Sequence, residues 1–385
     1  MYHSTVQIGN VELTCPKTGD HCQVEGGLCR ITSMLQWVSL DRAVNRNQET
    51  TMRSDTFESD ILSLMREQDI PGVSLVTIRH GSMGKALALG VRDLSANDPV
   101  DERTIFGAAS LTKPVAAYAT LQLVDAGELD LDAPLARFAG PVNPADPASH
   151  SITTRHILTH SSGLPNVKGD GRPRIHFPPG SHFSYSSVGF LYLQKAIEAI
   201  TKQPFETTLT QLVFDPLGMI SSSLAWRPQF EANFASPHEN GKPIAKQRLA
   251  AANASGSLQT TATDFGRFLL AALKGERLSE STFRQWLDPV FHVPWATTEH
   301  LNLDPIKLDA DVAWGLGWGI EINRKSFFQW GWLDGTRAFV MGDPTEQSGA
   351  VLLANSNTGL RLVPEIFEAV MPGTHPAIEW CKWNR

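Results

Sequence analysis

Phe106-Gly107-Ala108-Ala109-Ser110-Leu111-Thr112-Lys113 joins a small apolar lead-in, a serine and a lysine three residues on. The lead-in reads as a strand. Leu111 to Ala126 reads as a long helix that stops at Gly127, with Val115, Ala119 and Leu123 on its apolar face. Residues three apart share a helix face, so Lys113 is expected to bring its amine to the Ser110 hydroxyl. A serine hydroxyl is a weak nucleophile and needs a base beside it. Lysine serves only when burial or a neighbouring cation lowers its pKa. At the helix start, the free N–H of Ser110 is also placed to hold a developing oxyanion. The same four-residue spacing occurs at Ser82-Met83-Gly84-Lys85, but inside a Gly-flanked turn, which makes it a chance match. A capping serine beside a surface lysine stays open as the other reading of Ser110 and Lys113.

Upstream, Gly72–Ile78 and Ala86–Val91 read as a hairpin across the turn residues 80–84. Before it, Phe57, Ile61, Leu64 and Met65 recur at helical spacing, with Ser54 or Asp55 as cap. Downstream, clear helices are Val188–Thr201 and Thr263–Lys274. Strands return at Trp314–Ile322, Phe327–Trp332, Thr336–Gly342 and Ala350–Asn355, and a last helix covers about Leu362–Val370. The pattern predicts an α+β fold: an antiparallel sheet built from both chain ends with flanking helices, plus a mostly helical middle region. Residues 1–51 are expected as an N-terminal extension without a core face. Residues 52–372 form the domain, with its sheet part about 52–130 and 300–372 and its helical part about 131–299. Residues 373–385 form a tail.

The chain has 385 residues, 42% hydrophobic, with a formal net charge of −7. That balance gives no electrostatic reason to bind nucleic acid or an anionic membrane. No stretch approaches the ~20 apolar residues of a membrane span. The first residues lack the basic and apolar regions of a secretory signal, so a cytoplasmic protein is expected. Cys15, Cys22 and Cys29, with His21 among them, lack the spacing of a convincing zinc site, and Cys381 stands apart. Thiols kept reduced are the expected state, with no metal and no cofactor.

Two further pieces carry chemistry. Tyr185-Ser186-Ser187 precedes a helix, and a phenolate there beside a lysine ammonium would have a lowered pKa. Gln329-Trp330-Gly331-Trp332 lies on a C-terminal strand, where a glycine admits a close backbone approach and the N–H of Trp332 is a candidate second oxyanion donor.

Together these pieces resemble the class C β-lactamase and D-alanyl-D-alanine peptidase family, which also holds esterases and acyltransferases. The resemblance runs from about 60 to 370. It rests on the ordered set of Phe106–Lys113, Thr154-Arg155-His156-Ile157-Leu158-Thr159-His160-Ser161-Ser162-Gly163-Leu164, Pro179-Gly180 through Tyr185-Ser186-Ser187, Asp215-Pro216-Leu217-Gly218-Met219, and Gly256-Ser257-Leu258 with Thr260, Thr261 and Asp264. It implies a β-lactamase/transpeptidase-like fold and an acyl-serine mechanism. The implied catalytic residues are Ser110, Lys113 and Tyr185, with Ser110 and Trp332 as oxyanion donors. The implied substrate contacts are Ser187, Gln329, Trp330, Gly331 and Arg337. It makes His156 and His160 structural.

The chain departs from the family pattern twice. Gln329 and Trp330 precede Gly331 where the family has Lys or His, then Thr or Ser. Ser187 stands where the β-lactamases and peptidases carry Asn. A Lys-Thr-Gly does occur, at residues 17–19, but before the serine, and is read as accidental. A neutral Gln cannot bind a carboxylate as a cation does; Arg337 is the candidate to compensate, which the sequence alone does not show. The departures favour a small ester or amide substrate and an esterase or acyltransferase over a β-lactamase. A wall of Trp314, Trp318, Trp330 and Trp332 around an apolar acyl pocket is expected. A penicillin-binding peptidase or β-lactamase, and a catalytically silent binding protein of the same fold, remain the alternatives. Oligomeric state is not legible. A chain starting at Met52 is expected to fold, with a circular-dichroism spectrum and single melting transition like those of the full chain; loss of folding would reject the boundary.

Overall fold

The computed structural model describes residues 4–8, 11–15, 21–24 and 27–30 as backbone, and 56–167, 169–293 and 311–382. Contacts divide the chain into Met1–Ser59 and Asp60–Arg385. In the first unit, the strands Ser4–Ile8, Val11–Cys15, His21–Val24 and Gly27–Arg30 form an antiparallel sheet in chain order, with Cys22 in register with Cys29. Regular strands therefore stand where the sequence suggested only an irregular extension. Lys17-Thr18-Gly19, the proposed caps Ser54 and Asp55, and the boundary at Met52 lie outside the described residues.

The large sheet of the second unit is built from both ends of the chain. Its central strands run Phe327–Leu333, Thr336–Asp343, Ser348–Ala354, Gly72–Arg79 and Leu87–Asp93, all antiparallel. Val351 pairs with Val76 where the two ends meet. Val76, Ile78, Val351 and Leu353 are fully buried, and each contributes roughly 1.5–3 kcal/mol by leaving water. All eight residues of Thr336–Asp343 are buried because both sheet faces are covered.

One face carries the helix Ala262–Lys274. Thr261 caps it by accepting the N–H of Asp264 at 3.1 Å, and Gly275 closes it in the left-handed conformation. The other face carries Val363–Val370, with Phe367 edge-on to Phe339, and Pro376–Lys382, with Trp380 against Trp330. Much of the segment read as a tail is thus a helix whose Trp380 is fully buried.

The run Trp314–Ile322 does not make one strand. It splits into Val312–Trp314 and Gly319–Glu321, which pair with each other across a turn at Gly317, where φ is 96°. The apolar spacing of the run suits a single strand, but its glycines permit the reversal.

The helix Thr112–Asp125 is the axis of the helical half. Eleven of its residues are buried, on every side, so its sequence shows no polar stripe. It starts where Phe106–Ala109 ends. That strand pairs with Leu258–Thr260 and passes close over Phe327–Leu333. Gly331 makes the passage possible: a Cβ there would sit 2.4 Å from the carbonyl oxygen of Ala108 and 3.0 Å from the Ala338 Cβ. Gly331→Ala is therefore expected to lower the unfolding free energy by roughly 1–3 kcal/mol, read from the denaturant midpoint. Unchanged stability would contradict this contact.

Candidate active site

The site grows from one turn. Ala109 takes φ 50°, a left-handed conformation that costs a non-glycine residue roughly 1–2 kcal/mol. The turn carries the chain directly from strand into helix and leaves Ser110 at the corner, part-exposed. Thr112 fixes the geometry: its Oγ1 donates to Ala109 O at 2.6 Å and accepts the Leu258 N–H at 2.9 Å.

Lys113 lies one helical turn in, its side chain buried. Its Nζ is 3.0 Å from Ser110 Oγ, 3.3 Å from Ser187 Oγ and 2.7 Å from Ser255 O. Burial lowers its pKa to about 7. The chance match at Ser82–Lys85 shows the contrast: Lys85 is exposed and salt-bridged to Glu102 at 2.7 Å.

Tyr185 closes the other side. Its hydroxyl shares a hydrogen bond with the Ser110 side chain and accepts one from Gln329 Nε2 at 2.8 Å. Gln329 Nε2 also donates to Ser110 O at 3.3 Å, which fixes the orientation of the amide. Burial raises the Tyr185 pKa, while the bonds to Ser110 and Gln329 oppose it. The sequence reading allowed a pKa lowered by a lysine ammonium; burial instead favours the neutral phenol. A buried ring beside a neutral amide lacks the cation that would stabilise the anion. Behind the phenol stands His160, its ring 4.2 Å from that of Tyr185, accepting the Ser186 N–H on Nδ1 at 3.0 Å. Burial and the nearby Lys113 push its pKa well down. His156 forms a capping box with Thr153 and takes no part in the cluster.

The structure thus brings Ser110, Lys113, Tyr185, Ser187 and Gln329 together. Two residues that the sequence reasoning missed belong with them: Ser255, through its carbonyl, and Asn166, whose Oδ1 accepts the Ser187 hydroxyl at 2.9 Å. Neither carries a type or spacing that marks it; only the fold brings them near.

Other candidates lie elsewhere. Strand alternation puts Gln329 and Gly331 on the face toward Ser110 and the side chains of Trp330 and Trp332 on the other. Gly331 faces Ala108 rather than open space, so its close approach serves the protein backbone. Arg337, in register with Trp332, stacks under its ring at 3.5 Å and donates to Leu333 O and Thr336 O at 2.7 and 2.8 Å. It cannot supply the missing cation at Tyr185, because it is pinned on the opposite face. The tryptophan wall is also corrected. Trp314 and Trp318 are fully buried in the core and Trp330 packs behind Tyr185, while Trp332 alone of the four is exposed, at 42%. A small cavity lies instead beside the lead-in strand, lined by the apolar Phe234, Leu249 and Leu333 and by the polar Gln247, Asp334 and Thr336. Among the described residues no cluster of His, Cys, Asp and Glu could hold a metal, and no helix is long and apolar enough to cross a membrane.

A serine, a buried lysine and a tyrosine at the seam of an antiparallel sheet and a helical half define the serine acyl-transfer class of hydrolases. The chain belongs to the Beta-lactamase family, whose model matches residues 57–371. It is 32% identical to Esterase EstB of Burkholderia gladioli over 211 residues, covering 46% of this chain and 53% of the esterase. It is 29% identical to Penicillin-binding protein 4 of Amycolatopsis lactamdurans over 177 residues, covering 42% and 46%. The fold is similar to that of an octameric penicillin-binding protein homologue from Pyrococcus abyssi, with a TM-score of 0.67 and 23% identity over 79% of this chain and 74% of that one. The matches thus span about half the length of the two curated relatives.

The Lys113 environment sets a pH dependence. Its depressed pKa leaves a lone pair above about pH 7 and removes it below. A pH profile of kcat/KM is expected to fall on the acid side with a midpoint near 7 and to show no alkaline limb from Tyr185 in the ordinary phenol range. An acid limb near pH 4 to 5, the range of an ordinary carboxylate base, would contradict it.

Proposed function

We propose that this chain is a serine hydrolase that forms an acyl-Ser110 intermediate on neutral esters or simple amides. The observation that carries the reading is the neutral amide of Gln329 on Tyr185, with Arg337 turned to the other face. Among the described residues, no cation besides Lys113, whose amine lies 4.7 Å from the ring centroid, stands near the phenol to receive a substrate carboxylate, and a carboxylate brought there would lose its water without a further partner. The similarity to an esterase over 46% of the chain supports the same reading.

The reaction proceeds in two balanced steps. Ser110 Oγ bonds to the carbonyl carbon as its proton passes to the Lys113 amine. The N–H groups of Ser110 and Trp332 hold the oxyanion. Of the strand Phe327–Leu333, only Phe327 and Phe328 pair with Gly319–Glu321, so the described pairing on that side stops short of Trp332. As the tetrahedral species collapses, the bond to the leaving group breaks. The Tyr185 phenol gives that group a proton and takes one from Lys113. Water then attacks the acyl-serine, its proton passes to the amine and on to Ser110 Oγ, and the acid leaves.

A panel of p-nitrophenyl esters, simple amides and nitrocefin, run with wild type and Ser110→Ala, tests this. The expected result is turnover of a short-chain ester, little or none of nitrocefin, and a loss of ~10³-fold or more in Ser110→Ala. Preferred turnover of nitrocefin would favour the β-lactamase reading, and equal activity of the variant would reject the site.

A further inference from the structure

Among the described residues the Lys113 amine has three hydrogen-bonding neighbours, and two of them cannot offer it a proton. Ser255 O, a carbonyl 2.7 Å away, only accepts. Ser187 Oγ is 3.3 Å away, but its own proton is given to Asn166 Oδ1 at 2.9 Å. The orientation of Asn166 is fixed, because the same Oδ1 accepts the Ser187 backbone N–H, which can only donate, at 3.1 Å. The third neighbour is Ser110 Oγ. A neutral amine has two N–H bonds and one lone pair. With one N–H on Ser255 O and the other on Ser187 Oγ, the lone pair is left facing Ser110. On the serine, Oγ shares a hydrogen bond with the Tyr185 hydroxyl in which either oxygen can donate; with the phenol donating, the Ser110 proton is free to point to the amine.

We infer that Asn166 is a positioning residue: acting through the Ser187 hydroxyl, it aims the lone pair of Lys113 at Ser110. This rests on the proposed acyl-serine chemistry. In the pattern that the chain resembles, position 187 is an Asn. Here a shorter hydroxyl stands at 187 and the amide is supplied from the loop that follows Pro165. Without Asn166 the Ser187 proton is released to hydrogen-bond the amine's lone pair, in competition with Ser110. Tyr185 and His160 are the titratable side chains that pack near the amine, and burial keeps both neutral.

The readout is the rate at which a fluorophosphonate labels Ser110, which measures activation of the nucleophile without the natural substrate. Asn166→Leu and Ser187→Ala are each expected to slow labelling by roughly ten- to a hundredfold, and the double variant to be no slower than Ser187→Ala alone. Asn166→Asp keeps both acceptor bonds and hence a wild-type melting temperature. It adds a negative charge about 6 Å or less from the amine, so the acid limb of labelling is expected to move up by about one pH unit. Additive effects in the double variant, or an unmoved limb in Asn166→Asp, would overturn the inference. Absence of labelling in wild type itself, or labelling retained in Ser110→Ala, would instead reject the catalytic reading beneath it.

Discussion

The structure turns on one buried amine. A lysine enclosed by protein must find a counter-charge, lose its proton or destabilise the fold. Lys113 has no carboxylate among the causes of its shift; burial alone lowers its pKa, and its hydrogen-bonding neighbours are two hydroxyls and a carbonyl. The neutral amine is the form that the fold favours, and a neutral amine is a base. The rest of the scaffold keeps it so. A helix buried on every side denies it water, the left-handed turn at Ala109 sets Ser110 before it, and the bare backbone of Gly331 lets that turn lie against the sheet.

The same neutrality sets what the site suits. A lysine near its pKa, a phenol that stays protonated and an amide in place of a cation make a site with little net charge. Such a site polarises a carbonyl through backbone N–H groups and hydrogen-bond donors. Under the proposed function, it discriminates against charged substrates because it has little to pair with them. The helix Pro376–Lys382 supports this from behind, through Trp380 on Trp330 and Trp330 on Tyr185.

Much of this was legible in the sequence. The SxxK spacing at a helix start gave Ser110 and Lys113, because helical periodicity alone places both on one face. The distribution of strands to the two ends gave the sheet, which the pairing of Val351 with Val76 closes. What escaped reading depends on facts that no local pattern carries. Asn166 and Ser255 lie 53 and 142 residues beyond Lys113 in numbering and meet it only through tertiary packing. The face on which Arg337 lies follows from hairpin register, in which one residue reverses the side. The charge state of Tyr185 follows from depth of burial rather than from its neighbours in sequence. Trp314 and Trp318 look like pocket walls in sequence and are core, because aromatic residues on a doubly covered sheet are buried by default.

The most direct test is the protonation of Lys113 itself. In protein carrying carbon-13 at the lysine ε position, the NMR shift of that carbon is followed against pH, with Lys113 assigned by a Lys113→Arg variant. The account predicts a transition near pH 7, far below the 10.5 of a free lysine. A Lys113 signal that titrates with the surface lysines would contradict it.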